Sequence, residues 1–182
     1  INVARLGVFA PQEISPTFSD WNFSYDLTAT YKATPDLLFY ATYAKTFKSG
    51  GINQNGVPTD ASNNPILAAG TVKPESVNHF EAGVKADLFD RRARVDASVY
   101  YYKVDDMHLT AVGGGANFNR LVNAEHAEGY GFEFNGEANP IEHLLLTAGL
   151  SYSYTEIQDP NLAIQPCGAP CTVLDPPGVP GT

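Results

Sequence analysis

Positive charge is scarce in this chain. Eleven lysines and arginines stand against twenty aspartates and glutamates, for a net charge of −9. So acidic a chain offers little field to a phosphate backbone, which argues against a nucleic-acid partner. Long apolar runs are missing as well, since no stretch reaches the roughly 18 residues a membrane-crossing helix needs. The chain opens on Ile1, with no starting Met, basic n-region or apolar h-region, and is expected to be a processed or excised piece rather than an intact precursor. No Ser, Cys or Thr sits in a recognisable nucleophile motif. Gly113-Gly114-Gly115 lacks the strand-to-helix context of a phosphate loop. Neither catalysis nor a cofactor is expected.

What is present is apolar and aromatic content, 43% and 12% of the 182 residues, too much for a disordered chain. It is laid out with a period of two. From Asp20 to Lys32, Trp21, Phe23, Tyr25, Leu27, Ala29 and Tyr31 alternate with Asp, Asn, Ser, Thr and Lys. Only a strand gathers such positions on one face. Thr34-Pro35-Asp36 then predicts a tight turn. Further strands are expected at Leu37 to Phe47, Val77 to Leu88, Ala93 onward as far as Val112, Tyr130 to Ala138, and Leu144 to Ile157. Asp90-Arg91-Arg92 and Asn139 to His143 supply two more short turns. Between the other strand pairs lie long irregular stretches: Ser49 to Val72, the glycines after Val112, and a Pro/Gly-rich tail from Gln158.

Connections that alternate short and long place every short turn at one end of an antiparallel meander and every long loop at the other. Outer-membrane barrels show that asymmetry, with short periplasmic turns and long extracellular loops. Each strand also reaches the roughly 9–11 residues needed to span a bilayer. The fold class expected is therefore all-β: an antiparallel transmembrane β-barrel segment of about six strands. In that register Val84 and Phe39 face lipid, Lys85 and Asp96 face the lumen, and Trp21, Tyr43, Tyr101, Tyr152 and Tyr154 fall near strand ends, where interfacial girdles lie.

Three phrases carry a family resemblance. LTATYKATPDLLFYATYAKTFKSGG (Leu27 to Gly51) resembles a mid-barrel hairpin of TonB-dependent receptors. VKPESVNHFEAGVKADLFDRRARVDASVYYYKVDDM (Val72 to Met107) resembles the hairpin that follows, and NAEHAEGYGFEFNGEANP (Asn123 to Pro140) a further one with a Gly131-Phe132-Glu133 core. The resemblance is clearest over residues 20–157, and the whole of 1–182 is expected to be a partial barrel domain. It implies a barrel of about 22 strands closed by a separate plug domain. It also implies import of a scarce ligand (a siderophore, cobalamin, haem or some carbohydrate) across the outer membrane of a Gram-negative bacterium. The implied partners are the lipid bilayer, the small-molecule ligand, and an inner-membrane TonB-type energy-coupling protein acting through the plug. No TonB box, plug-like segment or terminal aromatic strand is found in these residues. A passive porin-like or structural barrel, and a soluble β-sandwich binding module, remain as alternative functions.

Site expectations follow. Glu125, His126 and Glu128 carry donors for a cation, but adjacent strand residues point to opposite faces. They are expected to be rim or lumen polar groups, and no metal site is expected. Glu81, Glu133, Arg94 and Lys85 are expected to be lumen charges pairing across strands. The loop Ser49 to Val72 is far longer than an ordinary hairpin connection. Its Asn53, Gln54, Asn55, Asp60, Asn63 and Asn64 are expected to face a polar ligand. Cys167 and Cys171 flank Gly168-Ala169-Pro170, a turn-favouring run, and are expected to form a disulfide at the tip of the last loop.

Overall fold

The computed structural model describes residues 14–54, 57, 62, 64–113, 118–160 and 162. The strands are β1 (Tyr25–Thr34), β2 (Leu37–Lys48), β3 (Gly51–Ile52), β4 (Thr71–Val72), β5 (Glu75–Leu88), β6 (Ala93–Gly113), β7 (Phe118–Ile141) and β8 (Leu144–Gln158). Six of them form one antiparallel sheet in the order β1-β2-β5-β6-β7-β8. β3 and β4 pair separately within the first long connection, and a 3-10 turn at Leu67–Gly70 runs directly into β4.

Most strand limits agree with the alternation, and the two large differences have physical causes. β1 begins at Tyr25, opposite Lys45, rather than at Asp20. Trp21 and Phe23 continue the period, yet a side-chain period does not supply backbone partners, and both rings stay exposed. β7 begins at Phe118, twelve residues before the alternation becomes clear, and pairs with β6 up to Gly113↔Phe118. The excursion after β6 is thus largely a projecting hairpin rather than an irregular loop. β5 follows β6 only to Ser76↔Asp105, and β8 follows β7 only to His126↔Gln158. Some eight residues of each hairpin arm therefore stand beyond both neighbours, roughly 25 Å of strand at the usual rise.

The register aligns like with like across the sheet. Tyr31, Phe39, Val84, Ala97, Phe134 and Leu150 form one continuous row, each directly opposite the next. Toward the loop end, Leu27, Tyr43, Phe80, Tyr101, Tyr130 and Tyr154 form a second row that is mostly aromatic. Tyr43 stacks on Phe80 with centroids 4.7 Å apart, and Tyr130 lies 5.2 Å from Tyr154. This apolar face is open: Leu27, Val99 and Leu150 are 63%, 59% and 62% exposed. A contiguous apolar surface of this kind needs an apolar medium against it.

The other face is polar and paired across strands. Lys85 meets Asp96 at 2.9 Å, and Arg94 meets Asp87 at 2.9 Å with Glu137 at 4.0 Å on its other side. Three tyrosines lie over the glycines directly opposite them: Tyr40 over Gly83, Tyr100 over Gly131 and Tyr102 over Gly129. Each ring fills the space a glycine leaves, and hydroxyl bonds hold two of them in place. Tyr40 donates to Glu81 at 2.6 Å, while Tyr102 and the Thr155 hydroxyl are 2.7 Å apart.

At the turn end the three short connections are stitched together. Arg91 pairs with Asp36 at 3.3 Å, and the Asp87 N–H donates to the Asp36 carbonyl at 2.8 Å. Asn139 N–H donates to the Arg92 carbonyl at 2.7 Å, and the Arg92 guanidinium reaches the Asn139 and Pro140 carbonyls. Phe89, Asp90 and Arg91 all have positive φ (55°, 53° and 65°), which turns the chain within a few residues. Buried side chains gather at the opposite end, where Val57, Val72, Val104, Ala111, Ala124 and Ala127 are covered.

Candidate functional site

The loop end is built by two segments far apart in sequence. One is the first long connection, Ser49 to Pro74, and the other is the projecting hairpin of β6 and β7. What joins them is a pair of reciprocal asparagine contacts. A side-chain amide carries the same donor and acceptor as a peptide unit, so it can stand where a neighbouring strand would. Asn53 does this for Leu121: its Nδ2 donates to the Leu121 carbonyl at 3.0 Å, and the Leu121 N–H donates to its Oδ1 at 2.8 Å. Asn123 does the same for Lys73, accepting from the Lys73 N–H at 2.9 Å and donating to the Lys73 carbonyl at 3.1 Å.

Several further bonds reinforce the junction. Asn53 Nδ2 also donates to the Ala69 carbonyl at 2.9 Å, and the Asn53 N–H donates to the Gly70 carbonyl at 2.9 Å. Lys73 Nζ meets the Asp106 carboxylate at 3.1 Å. The His108 N–H donates to Glu75 at 2.7 Å, and His108 Nε2 lies 2.6 Å from the Lys73 carbonyl. Asp106 itself sits in the left-handed region, with φ 54°, in the middle of β6. That conformation costs roughly 1–2 kcal/mol for most residues and is tolerated best by Asp and Asn. It is held there by Lys73 on the carboxylate and by Asn123 Nδ2 on the carbonyl at 2.7 Å.

Between the two segments lies an open cleft of about 460 Å³. Thr71 and Lys73 line its loop side, Asp106 its β6 side, Arg120 and Asn123 its β7 side, and Asp159 closes it beyond β8. The walls combine hydroxyl, amide and charged groups of both signs with apolar surface from Ala69, Val72, Leu121, Val122 and Leu162, suited to a partner with both polar and apolar parts.

The six loop residues expected to face a ligand divide. Asn53 does not face outward: it is 6% exposed, and every polar atom of its amide is engaged inside the junction. The cause is geometric, because an asparagine immediately after a strand can reach across as readily as outward. Gln54 and Asn64 are exposed. Asn55, Asp60 and Asn63 lie outside the described residues, as do Cys167 and Cys171. Lys73, Asp106, Arg120, Asn123 and Asp159 were not anticipated as cleft residues. Only the Lys73-Pro74-Glu75 phrase hinted at them, since a proline there ends one element before another begins.

Glu125, His126 and Glu128 are not drawn into a shared coordination sphere. His126 Nδ1 sits 2.8 Å from Asp105 across the hairpin, its Nε2 is 3.6 Å from Glu125, and Glu128 accepts instead from Tyr101 at 3.0 Å. Among the described residues no three such side chains are arranged to hold a metal ion.

Comparison with known proteins matches residues 5–171 to the TonB dependent receptor-like β-barrel domain. The chain belongs to that family, and its sheet is part of that barrel. The metal-pseudopaline receptor CntO of Pseudomonas aeruginosa is 28% identical over 135 residues, covering 73% of this chain and 17% of its own length. An uncharacterized TonB-dependent receptor of Haemophilus influenzae is 24% identical over 142 residues, covering 77% of this chain and 36% of its own. Among solved structures, the FrpB iron transporter of Neisseria meningitidis superposes with a TM-score of 0.55 at 15% identity, over 75% of this chain and 20% of that one. This chain thus spans about a sixth of the length of the Pseudomonas receptor, and about a third of the Haemophilus one.

Proposed function

We propose that this chain is part of the wall of an outer-membrane receptor that imports a scarce nutrient. The observation that carries the reading is the register, which from the turn end to the aromatic row gives the sheet one apolar face and one charge-paired face, built on strands of 10 residues or more. In this reading the apolar face lies against lipid, the polar face lines the lumen, and the Tyr43–Tyr101–Tyr130 row sits at the outer interface. The turn end is periplasmic, and the cleft opens outside the cell. The relatives, a metal-pseudopaline receptor and an iron transporter, favour a metal–siderophore complex as the ligand over the other scarce nutrients. Energy comes from the TonB complex of the inner membrane through a plug domain. No catalytic step and no resident cofactor are part of this reading.

The first long loop then contributes to capture, with Gln54 and Asn64 exposed on it. Replacing the residues of Gln54–Asn64 by Gly and Ser at the same length in the intact receptor, with Asn53 and the buried Val57 retained, is expected to leave insertion intact and to lower energy-dependent uptake of iron severalfold. Unchanged uptake removes this loop from the ligand path. Uptake that survives collapse of the inner-membrane potential rules out the energised mechanism and points to a passive pore. Cys167 and Cys171 form a disulfide in the same reading, because the cell exterior is oxidising. Thiol labelling of unreduced, denatured receptor is expected to find neither of them free; two reactive thiols would reject the bond.

A further inference from the structure

We propose that the loop end is a preassembled wall and not a lid: the two ends of the first long connection, residues 49–54 and 64–74, are docked on the β6–β7 hairpin before any ligand arrives, and the cleft between them and the hairpin is a standing feature of the free protein. Long connections on a barrel rim would ordinarily be the least stable part of the molecule, with few buried contacts and backbone bonds open to water. Here the buried side chains of the chain are concentrated at that end, with Ala124 and Ala127 almost wholly covered and Val57 and Val72 beside the loop ladder. The two asparagine clasps act in opposite directions. Asn53 reaches from the loop to the hairpin, and Asn123 reaches from the hairpin to the loop. Sliding or lifting the loop breaks both at once, together with the Lys73–Asp106 pair and the contact of His108 Nε2 with the Lys73 carbonyl.

The left-handed Asp106 supports the same conclusion. An unfavourable backbone conformation persists where its surroundings over-determine it, and Asp106 is held by groups from the loop and from β7 together. A wall formed in advance asks no ordering entropy of this segment when a partner binds. The inference does not depend on what is transported, so it stands or falls apart from the transport reading.

Amide hydrogen exchange on the intact, ligand-free receptor in lipid nanodiscs tests it. The Leu121 and Lys73 amides are expected to exchange at least about a hundredfold more slowly than in an unfolded peptide. Asn53→Asp places a carboxylate against two carbonyls and removes two donors, and Asn123→Ala removes the reverse clasp. Each is expected to speed exchange at both amides by about tenfold while leaving Val84 in β5 unchanged. Unprotected Leu121 or Lys73 in the unmodified protein overturns the proposal, and that measurement needs no variant to fold. Faster exchange confined to the altered clasp also overturns it, since the two segments would then not move as one.

Discussion

Gly131→Ala is expected to destabilise the intact receptor by about 3 kcal/mol, near the top of the range for overpacking. A Cβ at this position would overlap the Tyr152 main-chain carbonyl on one side and lie 2.5 Å from the Tyr100 hydroxyl on the other. The tyrosine can move, but the carbonyl is fixed by the β7–β8 ladder. Against this stands only the gain from replacing a strand glycine, roughly 0.5–1 kcal/mol, so the overlap wins. Two controls separate this cause from a general intolerance of change. Gly149→Ala meets Asn135 Oδ1 at 3.3 Å and the Phe134 carbonyl oxygen only at 4.0 Å, an ordinary contact, so it is expected to be near neutral. For Gly83→Ala the nearest atoms all belong to the Tyr40 ring and hydroxyl, with carbons at 2.5 Å, and it is expected to be rescued by Tyr40→Ala. Tyr100→Ala should not rescue Gly131→Ala, because the carbonyl remains. Urea unfolding of receptor refolded into bilayers reads all of these, and full rescue of Gly131→Ala by Tyr100→Ala would reject the backbone argument.

Val84→Arg is expected to cost about 2–4 kcal/mol on folding into a bilayer, whereas Lys85→Arg changes little. Val84 lies in the row that runs from Tyr31 to Leu150, flanked directly by Phe39 and Ala97. A guanidinium there would have apolar side chains beside it and, in the proposed membrane setting, hydrocarbon in front. Lys85 is one residue on and therefore on the opposite face, where Asp96 at 2.9 Å accepts either cation. Since the side-chain period is two, a one-residue error in register would exchange the two outcomes. Equal tolerance at both positions, measured as the yield of folded receptor in bilayers, would reject the assignment of faces.

The strands were legible where the two faces differ. Leu37, Phe39, Ala41 and Tyr43 in β2, or Val95, Ala97, Val99 and Tyr101 in β6, alternate because one neighbour meets an apolar medium and the next a polar one. The signal fades beyond the aromatic row. Over the first dozen residues of β7, Leu121, Asn123 and Ala127 lie on one side with Arg120, Val122 and Ala124 on the other, so both faces are mixed. They are mixed because loop residues cover them, and the alternation that marks a strand between two contrasting media has no reason to appear. The same cause hid the cleft. Its Lys73, Asp106 and Asn123 meet through contacts 33 and 50 residues apart in sequence, which no local pattern records.

The sequence alone determined the all-β class, the meander of six long strands, the turns at one end and the face each residue takes between the turn end and the aromatic row. Those follow from side-chain period and turn chemistry, which are local. Tertiary structure decided where pairing stops, that the β6–β7 hairpin outreaches its neighbours, and that Asn53 turns inward instead of toward a ligand. Those depend on which backbone groups are left without a strand beside them. Asn53 and Asn123 supply the missing partners at Leu121 and Lys73, and an asparagine looks the same in a sequence whether it closes an open strand edge or waits in solvent.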